Sequence, residues 1–306
     1  MSVSPATGQC VCVRSALHIA LGTYVRVRVQ AARDADCDAA LTAAGDAIEA
    51  CEARFSLYRK SSELCQLNAR AALSAVPVSE AMFALLSLSD AISTSSDYLF
   101  DPSVGGVLSR AGLRPGAAHA THWQDVVLNS AQRTVHYLRP LTLDFGGIAK
   151  GFAVDCAVDA AMLCGASGVL IDAGGDMRAA GLLAHDIRVR DPRNAQRSMP
   201  LMRLENAAVA TSGGSGAVRE TDDGEFVIPT VHPAHADFAS RYPTMLTRES
   251  VSVTAPRCAV ADALTKVVQL SGNVHHPLLA RFNAQAIRID ATNATHYVIE
   301  ATRAAA

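Results

Sequence analysis

Asp144, the glycine pair Gly146-Gly147 and Lys150 are the residues of this chain whose types and spacing best suit chemistry. They sit in the run Leu143-Asp144-Phe145-Gly146-Gly147-Ile148-Ala149-Lys150-Gly151-Phe152-Ala153-Val154-Asp155. The glycines remove two Cβ atoms, so a ligand can approach the backbone closely. Amides at the start of the helix that follows favour an anion. Lys150 adds a full positive charge there, and Asp144 can accept hydrogen bonds or help hold a cation. Together these suit a phosphorylated ligand. Neither a Walker loop nor the G-x-G-x-x-G spacing is present. A plain strand-to-helix turn with a solvated lysine is the other reading of the same residues.

Two more glycine sites follow apolar runs. Gly174-Gly175-Asp176 comes after Gly168–Ala173, and Thr211-Ser212-Gly213-Gly214 comes after Val209-Ala210. Three such sites read as the lip of one ligand cleft. His275-His276 and His232-x-x-His235 have the look of metal ligands, but neither has a third ligand at sensible spacing, so both read as loop histidines.

Elements must hold these residues. Thr23 to Val29 alternates, with Val25, Val27 and Val29 on one face, as in a half-exposed antiparallel strand. Asp34 to Ala53 reads as a helix burying Leu41, Ala44, Ile48 and Cys51. Tyr58 to Asn68 is a polar loop or a short helix. Ser79 to Ser95 is a helix begun by Ser79, and Phe100 to Gly106 is a turn. A hairpin over Asp125–Leu128 and Thr134–Leu138 leads to a short strand (Leu141, Leu143, Phe145) before the glycine pair. After a Gly151–Cys164 helix come strands near 168–173, 186–190 and 207–210. Residues 219–248, with Pro229, Pro233 and Pro243, read as a loop. A strand at Val251–Thr254, a helix at Cys258–Leu270 and two short strands close the chain. Hairpins and helices without regular βαβ alternation predict an α+β fold of mixed, mostly antiparallel sheets flanked by helices. Residues 1–20 are expected to be a tail and 21–306 a single domain.

Composition narrows the function. Apolar residues make up 50% of the 306 residues and charged residues 18%, enough for a sizeable core. A net charge of −2 with scattered arginines gives no polyanion-binding surface, and 5% aromatics disfavour a base-stacking platform. Nucleic acid is therefore not an expected partner. The eight cysteines show neither CxxC pairs nor zinc spacing and read as buried reduced thiols, with disulfides left open. No stretch approaches the roughly 20 apolar residues of a membrane span. The run Ala16–Gly22, broken by His18, is too short for a secretion signal. The expected compartment is the cytoplasm, or an exported location if the chain is trimmed.

The motifs, taken in order, resemble the FAD:protein FMN transferases (ApbE-type flavin transferases). Leu21-Gly22-Thr23 resembles that family's M-G-T. Phe55–Arg59 with Ser62-Glu63-Leu64 and Leu67-Asn68 resembles S-x-[YWF]-x-x-x-S-E-L-x-x-[LF]-N. Phe100-Asp101-Pro102-Ser103-Val104-Gly105 resembles F-D-P-T-V-G, and the glycine run resembles L-D-L-G-G-I-A-K-G-Y-A-V-D. Gly174-Gly175-Asp176, Arg190-Asp191-Pro192, Thr211-Ser212-Gly213, Ser250-Val251-Ser252-Val253 and Ala261-Asp262-Ala263-Leu264 follow in family order.

The resemblance implies a flavin cleft between two intertwined lobes. The implied reaction moves FMN from FAD to a Ser or Thr hydroxyl of an acceptor protein, releasing AMP, with Mg²⁺ neutralising phosphate charge. By resemblance, Leu21, Tyr58, Phe100, Asp101, Asp144, Lys150 and Thr211 are expected to bind the flavin nucleotide. Gly147, Asp262 and Thr265 are expected to hold metal, and Asp262, Lys266 and His232 are candidates for the transfer step.

Two departures stand out. Lys266 occupies the position where the family has Thr, and an ammonium there repels Mg²⁺ or takes its place. Thr265 can substitute only by pointing about 100° away from Lys266 around the helix. The family's H-x-I-D-P-x-T-G is reduced to Pro229–Ala236, with His232 as a candidate substitute. A second reading is therefore an FAD-binding relative whose transfer is lost or altered. Ser212–Val218 partly resembles the family's acceptor sequence, but Val218 stands where the modified hydroxyl would be, so self-modification is not expected.

Overall fold

The computed structural model describes residues 11–119, 122–191, 194–213, 219–224, 226–227, 230–235, 237–238 and 249–290. Its centre is a seven-stranded sheet. β1 (Cys12–Ala20) and β2 (Thr23–Ala31) form its edge hairpin, turning through Leu21 and Gly22, both at positive φ (55° and 71°). The alternation in β2 is as read, with Val25, Val27 and Val29 fully buried. Residues 12–20 were expected to be tail. They instead pair along their whole length with β2, because that strand would otherwise expose its ladder groups.

Helix α1 (Asp34–Phe55) buries Cys37, Ala40, Ala44, Ile48, Cys51 and Phe55, one residue ahead of the expected Leu41 register at its start. The polar stretch after it resolves into α2 (Glu63–Arg70), whose N-terminus is capped by Ser62. A two-residue β3 (Val76–Pro77) precedes α3 (Glu80–Ser95), capped by Ser79 as expected. The expected turn at Phe100–Gly106 runs into α4 (Gly105–Arg110). The predicted hairpin is β4 (Val126–Asn129) with β5 (Thr134–Tyr137), and β3 adds to it as a third strand. Residues 141–145 are not a strand: they share one bridge, Val104 with Thr142, and are further held by Asn68, which accepts from Leu143 N–H and donates to Leu143 C=O.

Helix α5 (Ala149–Leu163) leads to β6 (Gly168–Ala173) and β7 (Asp176–Gly181), a hairpin turning through Gly174 and Gly175 at positive φ (66° and 101°). That geometry explains the second glycine pair, since side chains rarely adopt it. β8 (His185–Asp191) and β9 (Asn194–Leu204) make a separate ribbon. β10 (Ala208–Gly213) returns to the main sheet. The stretch read as a loop contains two short pairs, β11 (Arg219–Glu220) with β12 (Phe226–Val227), and β13 (Val231–His232) with β14 (Asp237–Phe238). Pro229 and Pro243 lie outside the described residues, as does most of the acceptor-like Ser212–Val218 stretch. β15 (Glu249–Ala255), α6 (Cys258–Ser271), α7 (Pro277–Arg281) and β16 (Gln285–Asp290) complete the order. The second closing strand expected from the sequence falls outside the described residues.

The main sheet runs β1-β2-β6-β7-β10-β15-β16, every neighbouring pair antiparallel. On one face, Val25, Val27, Val29, Val169 and Ile171 pack against α1 and α5. On the other, Leu170, Ala179 and Val209 pack against Ile187, Val189, Leu201 and Leu204 of the β8–β9 ribbon. A further core joins α2, α3, the small sheet and α6. The fold is α+β, as the sequence predicts. No helix among the described residues is long and apolar enough to cross a membrane. The described cysteines are free thiols, and Cys164 is exposed rather than buried.

The first turns of α5 and α6 pack against each other. Asp155 accepts from the N–H groups of Cys258 (2.9 Å) and Ala259 (3.0 Å), so a residue of α5 caps α6. One turn earlier, Gly151 lies so close that a Cβ would sit 2.3 Å from the Cys258 carbonyl oxygen. Gly151→Ala is expected to force the helices apart and lower stability by about 1–3 kcal/mol. Urea denaturation with tryptophan fluorescence measures it, and an unchanged midpoint would contradict the contact.

Candidate active site

The turn before α5 is built around Asp144. Its Oδ1 accepts from Gly146 N–H (2.5 Å) and its Oδ2 from Arg114 Nε (2.9 Å). A Cβ on Gly146 would lie 2.8 Å from Asp144 Oδ1, so this glycine makes room for a carboxylate rather than for a ligand. Several of the amides expected to face an anion are engaged within the chain. Ile148 and Ala149 donate to Phe145 C=O, and Gly151 donates to Asp262 Oδ2 at 3.4 Å. Positive charge at the turn therefore comes from side chains.

Lys150 pairs with buried Asp176 from the β6–β7 hairpin and lies 3.7 Å from Asp262 Oδ2. Burial pushes its ammonium below the ordinary lysine value, opposed by Asp262. Asp262 is 1% exposed. Burial alone would raise its carboxyl, but Lys150 and Lys266 outweigh that and hold it below the usual carboxylate range. Its Oδ1 accepts from Lys266 Nζ at 2.7 Å. The same ammonium donates to Ser212 Oγ and Thr265 Oγ1, each at 3.0 Å. Thr265 was expected to point away from Lys266. The long lysine stem instead folds back over it, while Thr265 Oγ1 donates to Asp262 C=O at 2.6 Å.

A cavity of about 950 Å³ opens beside this cluster, in the size range of small-molecule sites. It runs between the C-terminal end of α1, the 144–150 turn, the Gly174-Gly175 hairpin and β8, with an apolar wall of Phe55, Leu57, Phe145, Met177, Ile187 and Val189. Its charged lining is mainly cationic: Arg59, Arg114, Lys150, Arg188, Arg190 and Arg219 face Glu52, Asp144 and Asp191. An annex of about 220 Å³ adjoins it through Arg114, Asp144, Gly146 and Lys150 and reaches Phe100, Asp101, Gly147, Ser212 and Lys266. An apolar slot with a cationic neck suits a flat aromatic group joined to phosphates.

Most of the predicted residues converge here. Leu21, Tyr58, Asp144, Lys150 and Thr211 line the larger cavity, and Phe100, Asp101, Gly147 and Lys266 line the annex. Asp262 and Thr265 lie behind Lys266, shielded from both. Asp101 is largely structural in its bonding: Oδ1 accepts from Ser103 N–H (2.7 Å) and Ser103 Oγ (2.6 Å), and burial pushes its carboxyl up. Thr211 Oγ1 bonds Ser252 Oγ at 2.8 Å. His232 sits half-buried on β13 and is not among the described residues lining either cavity, so the structure does not bring it to the cluster. Arg114, Asp176 and Ser212 were not singled out as site residues. Arg114 carries no local signal, being far in sequence from every glycine motif. Asp176 and Ser212 belong to motifs already noted, and their hydrogen-bonding side chains were the available clue.

The model of a family described as the ApbE family matches residues 21–289. A protein of Treponema pallidum (strain Nichols) named FAD:protein FMN transferase is 29% identical over 286 residues, covering 82% of this chain and 76% of its own length. One from Vibrio cholerae with the same name is 25% identical over 284 residues, covering 86% and 83%. Among solved structures, the ApbE protein of Thermotoga maritima matches with TM-score 0.76 at 23% identity, covering 92% of this chain and 96% of that one. The flavin transferase ApbE from Vibrio cholerae gives 0.74 at 20% identity, covering 92% and 94%. These structural likenesses concern the fold.

Among the described residues, Asp262 is the carboxylate that stands between two ammonium groups. Asp262→Ala is expected to destabilise the protein by on the order of 2–4 kcal/mol, somewhat under the cost of breaking a sealed ion pair because both lysines keep partial exposure. Asp262→Asn should lose less. Equal unfolding midpoints for the parent and Asp262→Ala would refute the central role of this carboxylate.

Proposed function

The chain belongs to the ApbE family, and from that premise we propose that it is a transferase moving FMN from FAD to a Ser or Thr hydroxyl of an acceptor protein. The observation that carries this reading is the apolar cavity ending in a cationic neck at Lys150 and Arg114. The isoalloxazine ring fits the apolar slot bounded by Phe55, Phe145 and Ile187, and the pyrophosphate fits the neck. Tyr58 and Leu21 border the slot.

In the reaction, the acceptor hydroxyl oxygen bonds to the flavin-side phosphorus, and the bond from that phosphorus to the bridging oxygen breaks. AMP leaves with the bridging oxygen, and the hydroxyl proton passes to solvent. The chain's contribution is positioning and charge compensation. Lys150, held by Asp176, offsets phosphate charge at the neck. Arg114, oriented by Asp144, offsets it there as well. The hydroxyls and lysine of the annex border the side from which an acceptor chain can approach.

Mg²⁺ at Gly147, Asp262 and Thr265 does not fit these residues as they stand. The Asp262 oxygens are engaged by Lys266 and by Gly151 N–H, with Lys150 3.7 Å from the second oxygen, and the Thr265 hydroxyl is bonded as well. No step is therefore assigned to a metal. The same lysine favours a second reading, an FAD-binding relative without transfer.

The deciding experiment incubates the protein with FAD and an acceptor protein carrying a Ser/Thr flavinylation sequence. Covalent flavin is read by in-gel fluorescence and AMP by chromatography. Both products support transfer. FAD binding without either supports the second reading, and no FAD binding overturns both. Lys150→Ala is expected to weaken FAD binding by about 1–3 kcal/mol, as for a lost charge-assisted contact. Flavin-fluorescence titration measures it, and undiminished affinity would remove Lys150 from the neck.

A further inference from the structure

An ammonium has three N–H donors and no acceptor. Lys266 has all three matched: Asp262 Oδ1 at 2.7 Å, Ser212 Oγ at 3.0 Å and Thr265 Oγ1 at 3.0 Å. The acceptors come from two different elements, β10 and α6, so the arrangement is a shell built around a cation. Asp262 and Thr265 are fully buried, and the lysine side chain is 20% exposed, toward the annex. The lysine stem runs past Gly147, where a Cβ would stand in ordinary contact, 3.4 Å from Lys266 Cε.

The charges close as well. Lys150 and Lys266 stand against Asp176 and Asp262, and Arg114 stands against Asp144. A divalent ion bound by hard oxygens needs an uncommitted carboxylate and a surplus of negative charge. Asp262 offers neither while Lys266 is in place. The charged side chains lining the annex are Arg114, Lys150, Arg219 and Lys266 against Asp101 and Asp144, a cationic surplus that suits an anion.

We infer that Lys266 is the resident cation of this site. Its ammonium fills the place among Asp262, Ser212 and Thr265 that a metal ion would need, and a nucleotide pyrophosphate binds without taking up a divalent ion. The inference rests on the flavin-nucleotide reading above. Its lysine acts as a positioned charge beside the phosphates, at a fixed distance from Lys150.

The test uses the whole protein. FAD affinity is measured by flavin fluorescence in EDTA and in excess Mg²⁺, and bound Mn²⁺ is counted by electron paramagnetic resonance with and without FAD. The expected result is an FAD affinity that differs less than twofold between the two buffers, with Mn²⁺ remaining free in both samples. Lys266→Met should weaken FAD binding at least tenfold in EDTA, and Lys266→Arg should recover part of that. A thermal melt of each variant separates lost binding from lost folding. FAD binding that is tenfold tighter with Mg²⁺, or one Mn²⁺ bound per chain, overturns the inference and leaves the flavin reading standing. An absence of FAD binding in either buffer overturns both. Undiminished affinity in a folded Lys266→Met also overturns the inference.

Discussion

The Asp155 carboxylate at the N-terminus of α6 is the interaction on which the site depends. It accepts from the N–H groups of Cys258 and Ala259, and it is flanked by Arg178 and Arg257 at 3.3 and 3.5 Å. Removing water from a carboxylate is unfavourable unless donors replace that water. Here a helix end and two guanidinium groups do so, and burial still pushes Asp155 upward. The α6 start is thereby pinned to α5, and Gly151 lets the two backbones close to contact. One turn further along α6, Asp262 meets Gly151 N–H, and a turn beyond that Lys266 reaches β10. The register of the whole cluster follows from that single junction.

Charge pairing then decides what the cavity can hold. Three acids near the neck already face bases: Asp144 with Arg114, Asp176 with Lys150, Asp262 with both lysines. The larger cavity adds arginines from β8, from the segment after α1 and from β11. Pairing fixes the geometry of these groups and leaves the lining with a cationic surplus. A rigid, positively charged neck beside an apolar slot selects a ligand with one flat end and one phosphorylated end.

Much of this was legible in the sequence, for identifiable reasons. The β2 alternation and the Ser62 and Ser79 caps are local signals, and the structure keeps them. The motifs gathered Leu21, Tyr58, Phe100, Asp144, Lys150 and Lys266 onto one cleft although they are scattered along the chain. Other features were not legible because they depend on contacts between distant residues. Cys12–Ala20 has only weak alternation and becomes a strand by pairing with β2. The glycine pair before Lys150 reads as backbone opened to a ligand, yet the space beside Gly146 is taken by Asp144, and Gly147 borders the Lys266 stem. Asp155 reads as the last letter of a motif, and its work as a cap appears only once α6 is placed against it. The backward fold of Lys266 over Thr265 reflects the length and freedom of a lysine side chain, which helical angles alone do not describe.

The cation among Asp262, Ser212 and Thr265 is tethered to the chain. A metal ion that arrives with a nucleotide can leave with it, so a metal-loaded pocket alternates between charged and uncharged forms during turnover. An ammonium on a helix does not leave. The electrostatic state of this pocket is then the same before its ligand enters and after the products depart, and it is set by synthesis of the protein rather than by the ion content of its surroundings.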